Sequence, residues 1–257
     1  MKIKIPFLDS IWYCLGFFMM ILRGCGCFIL RGQASFKILI MQILFTFVEA
    51  LGISSMLAVG LGTGFYVVGT SFLSNFSQER YIYSLLIIII MREFGPVLTA
   101  FIISARSATA IATEMAGMVI SHEIEAYISV GVNPIEHLAV PRFLGVTISM
   151  FLLNLYFSLF GLVGPFLAVQ IFNPIPASIY FDNLFQGLTI SDIVISMIKS
   201  VSFGMIISTI AIIQGFAVER ASTEIPIAGL RAVSSAFGWC IIVDIILCGL
   251  YYSLIGI

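Results

Sequence analysis

The sequence has 257 residues, of which 60% are hydrophobic and 10% charged, and its formal net charge is −1. A water-soluble domain carries about 25% charged residues, so this composition predicts a protein that lies in the lipid bilayer. The small negative net charge offers no basic surface to phosphates and excludes nucleic acid as a partner.

The N-terminal segment, residues 6–37, is predicted to contain an interfacial helix. Its apolar run from Ile11 to Leu22 is bounded by Asp9 and Arg23. This run is shorter than the about 20 residues that a spanning helix needs. No small-residue cleavage site follows it, so the segment does not resemble a signal peptide. We expect the segment to lie on the membrane or dip into it, with an ordinary first span as the alternative.

Five longer apolar stretches follow, and each is long enough to cross the bilayer. The predicted spans are residues 38–73, 81–118, 143–172, 192–218 and 232–257. We therefore predict an all-α integral membrane protein that forms a single transmembrane permease domain of about five helices.

The distribution of lysine and arginine predicts the orientation. Basic residues concentrate in the N-terminal region, whereas the loop at residues 174–192 contains none. Because cytoplasmic loops carry the excess of these residues, we expect a cytoplasmic N-terminus. The segments 119–142 and 219–231 would then lie on the cytoplasmic side.

Small residues recur at every fourth position of the second predicted span. They form a pattern on which another helix can approach closely. The positions are Ala100, Ser104, Ala108, Ala112 and Ala116.

Residues 121–131 are predicted to form a short amphipathic helix on the cytoplasmic side. Ser121 is the expected N-cap, and Gly131 is the expected C-terminal stop. An apolar face on such a helix needs a surface to cover it, and the candidates are the bilayer surface, the chain itself and a partner protein. We expect a partner protein, because the acidic residues of the helix would be repelled by an anionic leaflet. We name the residues expected to contact this partner the coupling surface, because a force from the partner would be transmitted through them. They are Glu123, Ile124, Glu125, Tyr127 and Ile128.

Charged residues inside the predicted spans are costly there and therefore candidate functional residues. They are Glu49, Arg92, Glu93, Arg106, Lys199 and Asp244. Arg92 and Glu93 should point about 100° apart on a helix and should not neutralise each other. Lys199 and Asp244 should lie at similar depths and interact. We predict that Arg92, Glu93, Lys199 and Asp244 line the substrate pathway. The alternative is that these charges only hold helices together.

The sequence contains no phosphate loop of the type G-x-x-x-x-G-K-[ST] and no nucleophile elbow. We therefore predict a chain without catalytic activity, cofactor or metal. Energy for uphill transport would come from another subunit or from an ion gradient.

Several ordered motifs resemble the MlaE/YrbE-type permeases. They are REFGPVLTAF at 92–101, Arg106, AIATEMAGM at 110–118, EIEAYISVGVNP at 123–134, VPR at 140–142, QGF at 214–216 and Asp244. The resemblance runs from about residue 40 to the end of the chain. It departs at residues 224–231, where family members carry a stretch rich in glycine and threonine.

The resemblance implies an ABC transporter permease that works as a homodimer in the bacterial inner membrane. Its partners would be a cytoplasmic ABC ATPase, often a STAS-domain subunit, and an MCE-domain protein on the outer face. The substrate would be phospholipid moved between the inner and outer membranes. We expect the lipid cavity at the dimer interface, lined by the first and fifth spans.

Three other functions remain open from the residues alone. The same architecture could take up another hydrophobic solute, such as a sterol. An ion-coupled secondary carrier would use the four pathway residues as a proton relay. A membrane scaffold without transport activity would tolerate neutral replacements of those charges.

Overall fold

The computed structural model describes residues 7–31, 34–74, 81–172, 176–219 and 221–255. Residues 6, 32–33 and 256–257 of the predicted elements lie outside this part of the chain. All regular secondary structure in the described residues is helical. The α-helices are α1 Phe7–Arg31, α2 Ala34–Phe47, α3 Leu51–Ser74, α4 Tyr81–Ile87, α5 Gly95–Ile103, α6 Thr109–Ile120, α7 Glu123–Ser129, α8 Val140–Phe172, α9 Ala177–Gly187, α10 Ile190–Phe216 and α11 Ile225–Ile255.

Five stretches of the described residues are long and apolar enough to cross a membrane. Short 3₁₀ or π turns join some α-helices into one span. The first to fifth spans are Phe36–Leu73, Tyr81–Ile120, Ile135–Leu167, Ile190–Phe216 and Ser222–Ser253. The predicted all-α membrane fold is therefore confirmed, and the protein is a multi-pass membrane protein.

The helical bounds differ most from the predicted ones at the third and fifth spans. These spans begin at Ile135 and Ser222, eight and ten residues before the predicted starts at 143 and 232. The prediction followed the onset of continuous hydrophobicity. The backbone continues its helical hydrogen bonds into the segments that carry charged residues, because Glu and Arg are good helix formers.

The bundle has two ends, which we name by the short helices that lie there. The α7 end contains α7 and the starts of the third and fifth spans, and the α9 end contains α9 and the start of the fourth. The second, third and fourth spans are half-buried or more, whereas the first and fifth are mostly uncovered. The three middle spans therefore supply most of the core.

Helix α1 packs against the α7 end of the bundle. Ile21 is fully buried, and the rings of Phe18 and Phe143 meet at 6.0 Å between centroids. Gly24 lies against Val140 so closely that an added Cβ would come within 2.8 Å of the valine side chain. One face of the predicted interfacial helix is thus covered by protein.

The small-residue face of the second span is completely buried. Its five residues, Ala100, Ser104, Ala108, Ala112 and Ala116, are each 0% exposed. In a regular α-helix, positions four apart drift by about 40° per step. A wider π-helical turn at Ser104–Ala108 reduces this drift. Across the face, Gly215 of α10 approaches so closely that an added Cβ would lie 2.9 Å from the Ala112 carbonyl oxygen.

Many hydroxyl groups in the spans donate hydrogen bonds to carbonyls of their own helix. Thr99 bonds to Gly95, and Ser208 bonds to Gly204, both at 2.7 Å. Other hydroxyls that bond back in this way belong to Thr109, Thr113, Thr147 and Thr209. These groups are satisfied in an apolar environment without any partner helix.

The amphipathic segment forms α7, which is shorter than predicted. The expected cap at Ser121 is wrong, because His122 is the N-cap residue and makes no side-chain capping bond. The Ser121 hydroxyl instead bonds to Glu123 Oε1 at 3.0 Å. His122 adopts a left-handed backbone with φ of 58°, and Gly131 does so with φ of 80°. The predicted stop at Gly131 is confirmed, since a positive φ suits glycine at a helix end.

An aromatic cluster closes the α9 end. Tyr180 of α9 is fully buried and donates a hydrogen bond to the Leu162 carbonyl at 2.8 Å. Burial raises the pKa of Tyr180, so its hydroxyl remains a donor. The rings that surround it belong to Tyr66, Tyr83, Phe166 and Phe181. This cluster ties α9 to the first three spans.

Candidate functional site

The four side chains predicted to line the substrate pathway meet inside the apolar bundle. Arg92 and Glu93 come from the π-helical turn Ile88–Phe94 of the second span. Lys199 comes from α10 and Asp244 from α11. Three spans therefore converge on one polar cluster.

The π-helical turn has a local cause in the sequence. Pro96 has no backbone N–H, so it cannot continue the regular hydrogen-bond ladder. The Gly95 N–H bonds to the Ile90 carbonyl, five residues earlier. Gly95 also lies against α8, because a Cβ there would meet Asn154 Oδ1 at 3.1 Å. The wider turn sets the directions of the two charged side chains that precede it.

Lys199 is the centre of the cluster and is fully buried. Its ammonium lies 2.7 Å from Glu93 Oε2 and 2.9 Å from Asp244 Oδ1. It also donates to the Arg92 carbonyl and to Cys248 Sγ, both at 3.1 Å. The predicted contact between Lys199 and Asp244 is confirmed.

Arg92 is held on several sides. Its Nε donates to Glu93 Oε1 at 3.1 Å, and its Nη1 lies 3.6 Å from Asp192 Oδ1. Its Nη2 also donates to the Tyr252 hydroxyl. The guanidinium carbon lies 4.8 Å from the ring centroid of Tyr251 and 5.0 Å from that of Tyr252, within the range of a cation–π contact.

The expectation that Arg92 and Glu93 do not neutralise each other is wrong. It treated the two residues as points on a regular helix about 100° apart. The structure has a π-helical turn at this position, and both side chains are long enough to fold toward each other. The guanidinium is therefore an ion-paired group and not an isolated cation.

The cluster lies well inside the bundle, closer to the α9 end. At 1.5 Å per helical residue, Lys199 is about 14 Å along α10 from Ile190. By the same rule, Asp244 is about 17 Å from the C-terminal end of α11 at Ile255. Charges at this depth are outside the headgroup region and must be neutralised by protein or ligand.

The charges of the cluster do not balance when all groups are ionised. Two cations, Arg92 and Lys199, face three carboxylates, Glu93, Asp192 and Asp244. The sum of two positive and three negative charges is −1. The cluster therefore presents both signs of charge with a small negative excess.

Four members of the cluster were absent from the predicted site. Asp192 lies at the start of α10, where its carboxylate completes a capping box with Thr189, so the sequence suggests only a capping role. Tyr251, Tyr252 and Cys248 occur in an apolar helix, and nothing in their spacing distinguishes them from packing residues. Only the fold shows that α11 brings these three residues next to Arg92, Glu93 and Lys199.

Three groups that can bind metal ions, Glu93, Asp244 and Cys248, lie within 4.8 Å of one another. The Lys199 ammonium is within 3.1 Å of all three. A metal ion here would compete with that ammonium for the same ligands. The arrangement therefore fits an internal ion pair better than a metal centre.

Two further ion pairs involve residues of the motifs at 106, 110–118 and 140–142. Arg106 pairs with Glu49 of the first span. Arg142 of α8 pairs with Glu114 of α6 at 2.9 Å. The second pair connects the helices that precede and follow α7.

The predicted coupling surface divides into a covered part and an exposed part. Tyr127 packs partly against the core and places its ring 5.5 Å from that of His137. Ile124 is half-buried, whereas Ile128 is 60% exposed. Glu123 and Glu125 are exposed beside it. Apolar exposure continues beyond α7 at Val130, which is 80% exposed, and at Val132.

Comparison with known proteins gives a consistent set of relatives. Residues 39–250 match the family described as Permease MlaE. A probable ABC transporter permease of Rickettsia typhi is 27% identical over 73% of each chain. The intermembrane phospholipid transport system permease protein MlaE of Haemophilus influenzae is 27% identical over 73% of this chain and 74% of its own.

A plant protein is also similar. The chloroplastic protein TRIGALACTOSYLDIACYLGLYCEROL 1 of Arabidopsis thaliana is 25% identical over 88% of this chain and 64% of its own. Because the family match covers well over half of the sequence, the chain belongs to the MlaE permease family and is a transport subunit rather than an enzyme.

Proposed function

We propose that this chain is the permease subunit of an ABC transporter that moves phospholipid between the inner and outer membranes of a bacterium. A separate cytoplasmic ATPase supplies the energy, and the permease works as two copies. The names of the Haemophilus and Rickettsia relatives support a phospholipid substrate and an ABC-type assembly. The proposal also includes an MCE-domain protein at the α9 end and a STAS-domain subunit at the α7 end.

The polar cluster inside the apolar bundle is the observation that carries this proposal. A phospholipid has an apolar body and a headgroup with a phosphate, and many headgroups also carry an amine. Arg92 offers a guanidinium that suits phosphate, and the excess carboxylate suits an amine. Tyr251 and Tyr252 extend the cluster along α11, which is one of the two uncovered spans.

The uncovered spans support a cavity between two copies of the chain. Exposed side chains on α11 include Ile241, Ile245, Ile246 and Leu250. A second copy facing the first and fifth spans would enclose an apolar space next to the cluster. Acyl chains would lie against these side chains while the headgroup reaches Arg92.

The α7 end supplies the surface for the ATPase. Ile128, Val130 and Val132 form an exposed apolar patch, with Glu123 and Glu125 at its edge. Acidic residues would be repelled by an anionic leaflet, so this patch suits a protein groove better than the membrane surface. Tyr127 and Ile124 would fix α7 to the rest of the permease. A movement of α7 caused by the ATPase would then be transmitted to α6 and α8.

Lipid transport can be tested with Arg92→Gln in proteoliposomes that contain the permease and its ATPase. Loss of a charged hydrogen-bonding group should lower ATP-driven phospholipid movement about tenfold. Arg23→Gln, which changes an exposed cation of α1, is the matched control and should transport normally. Full activity of Arg92→Gln would show that the cluster only holds helices together.

The same assay separates the alternatives. A secondary carrier would lose transport when a protonophore is added and would not need ATP. A permease for sterols or other hydrophobic solutes would move those molecules and leave phospholipid in place. Either result would overturn the proposed substrate and energy source.

The coupling surface has its own test. Changing Ile128 and Val130 together to Asp should release the ATPase during purification without unfolding the permease, because both side chains are exposed. Ile128→Leu with Val130→Ile is the control that keeps the patch apolar. Tyr127 is not changed, since it also packs against the core. Full retention of the ATPase by the Asp variant would assign coupling to another surface.

A further inference from the structure

A pocket lined by both charged and apolar side chains lies near the α7 end, away from the central cluster. It has a volume of about 570 Å³ and opens between α2, α6 and α8. Its lining residues are Lys37, Ile38, Met41, Gln42, Phe45, Ala110, Ile111, Glu114 and Arg142.

The pocket has a charged part and an apolar part. Helical rise puts Lys37 about 5 Å from the start of α2, and Glu114 about 9 Å from the end of α6. Both therefore lie at the depth where headgroups meet acyl chains. The apolar lining, including Met41 and Phe45, continues along α2 toward the middle of the bilayer. This arrangement has the polarity of a phospholipid.

The charged part favours an anion. Lys37 is exposed and has no ion-pair partner in the part of the chain that the structure describes. Arg142 is only 6% exposed; it donates to Glu114 at 2.9 Å and to the Leu138 carbonyl at 3.1 Å. Its buried Nε has no hydrogen-bond partner among the described residues. Two cations against one carboxylate leave the pocket with a charge of +1, opposite in sign to the central cluster.

We propose that this pocket binds a phospholipid of the leaflet at the α7 end. The phosphate lies beside Lys37 and Arg142, and one acyl chain follows the wall formed by Met41, Phe45 and Ile111. The assignment of this leaflet as cytoplasmic rests on the proposed function. The bound lipid contacts α6 and α8, the helices on either side of α7, and is distinct from the lipid carried by the central cluster.

The test measures lipid retention by the purified permease, without its ATPase, using native mass spectrometry. Phosphatidylglycerol, diacylglycerol and inorganic phosphate are the three probes. Wild type should retain phosphatidylglycerol well above diacylglycerol. Lys37→Gln should weaken phosphatidylglycerol binding roughly fivefold, because it removes one cation at the membrane surface. Arg23→Gln is the control for loss of an exposed cation elsewhere.

A second variant keeps the charges and fills the apolar part. Ala110→Trp should also reduce phosphatidylglycerol retention, and its folding can be checked by thermal unfolding. The loss caused by Lys37→Gln should be the same size in an Arg92→Gln background, since Arg92 belongs to the central cluster and its lipid is then already weakened.

The outcomes separate the possible ligands. Equal retention of diacylglycerol, with no effect of Lys37→Gln, would overturn the headgroup site. Displacement of the lipid by inorganic phosphate at the same molar concentration would show a site for free anions. Lipid retention in a permease that moves no phospholipid would overturn the proposed function and leave this pocket intact. Phospholipid transport by a permease that does not retain this lipid would overturn the pocket and leave the proposed function intact.

Discussion

The second and fifth spans look alike in the sequence but have different surroundings in the fold. They contain 40 and 32 residues, and their most apolar 18-residue parts have mean hydropathy of 2.1 and 2.0. The most apolar part of the second span is 61% buried, whereas that of the fifth is 11% buried. Hydropathy shows only that a helix lies in the bilayer. Small residues at the packing positions of the second span explain why neighbouring helices cover it.

This difference predicts that substitutions in covered spans affect folding, and that substitutions in uncovered spans affect lipid or a second copy. The largest effect should follow Lys199→Ala in the fourth span. It leaves Asp244 without its cation and Glu93 with Arg92 alone, both half-buried inside the bundle, and should lower the free energy of unfolding by about 3–5 kcal/mol. Thermal unfolding of the purified protein measures this loss.

Two controls accompany this variant. Arg23→Ala removes an exposed cation and should leave stability nearly unchanged. Lys199→Met combined with Glu93→Gln and Asp244→Asn removes all three charges and should recover most of the lost stability. Equal destabilisation by Arg23→Ala would show that net charge, and not the buried cluster, controls stability.

A smaller effect is expected from Gly215→Ala in α10. An added Cβ would lie 2.5 Å from Met115 Cβ and 2.9 Å from the Ala112 carbonyl oxygen. The helices must separate, which should cost about 1–3 kcal/mol. Gly238→Ala in α11 is the matched control, because no atom lies within 4 Å of an added Cβ there. Unfolding temperatures that fall equally in the two variants would contradict the comparison of spans.

The smallest effect on folding is expected from Ile245→Ala, whose side chain is 66% exposed on α11. The free energy of unfolding should change by less than about 0.5 kcal/mol, whereas Ile111→Ala in the second span should cost about 2–5 kcal/mol. Self-association of Ile245→Ala in nanodiscs should nevertheless weaken. If association stays at the wild-type level, the fifth span faces lipid at this position.

The sequence was sufficient to predict the helices but not the contacts between them. Length and hydropathy identify five spans, and the rarity of charges in those spans singles out Lys199 and Asp244. The pairing of Arg92 with Glu93 was missed because it depends on a π-helical turn. Hydrogen bonding around Pro96 and packing against α8 determine that turn, and neither follows from periodicity.

The short helix α7 shows the same limit at a helix end. Serine is a residue type that favours the N-cap position, which is why Ser121 was predicted there. The N-cap is instead His122, whose backbone adopts the left-handed conformation before α7 begins. The predicted apolar face was a single surface, whereas the fold uses Tyr127 for internal packing and leaves Ile128 exposed. Which part of an amphipathic helix stays free depends on the neighbouring segment, here the π-helical turn Ile135–Ala139.

The hydroxyls that bond within their own helices have a consequence for motion. When one helix slides along another as a rigid body, bonds such as those of Thr99 and Ser208 remain intact, because donor and acceptor move together. Polar bonds that cross between helices resist such sliding, in addition to close packing of the kind at Gly215. Asn154 of α8 bonds to Ser196 of α10 at 2.8 Å, and Lys199 joins α10 to the second and fifth spans. A polar group that competes for the Lys199 ammonium would therefore weaken the contacts among three spans, so that they could slide past one another without any helix unwinding.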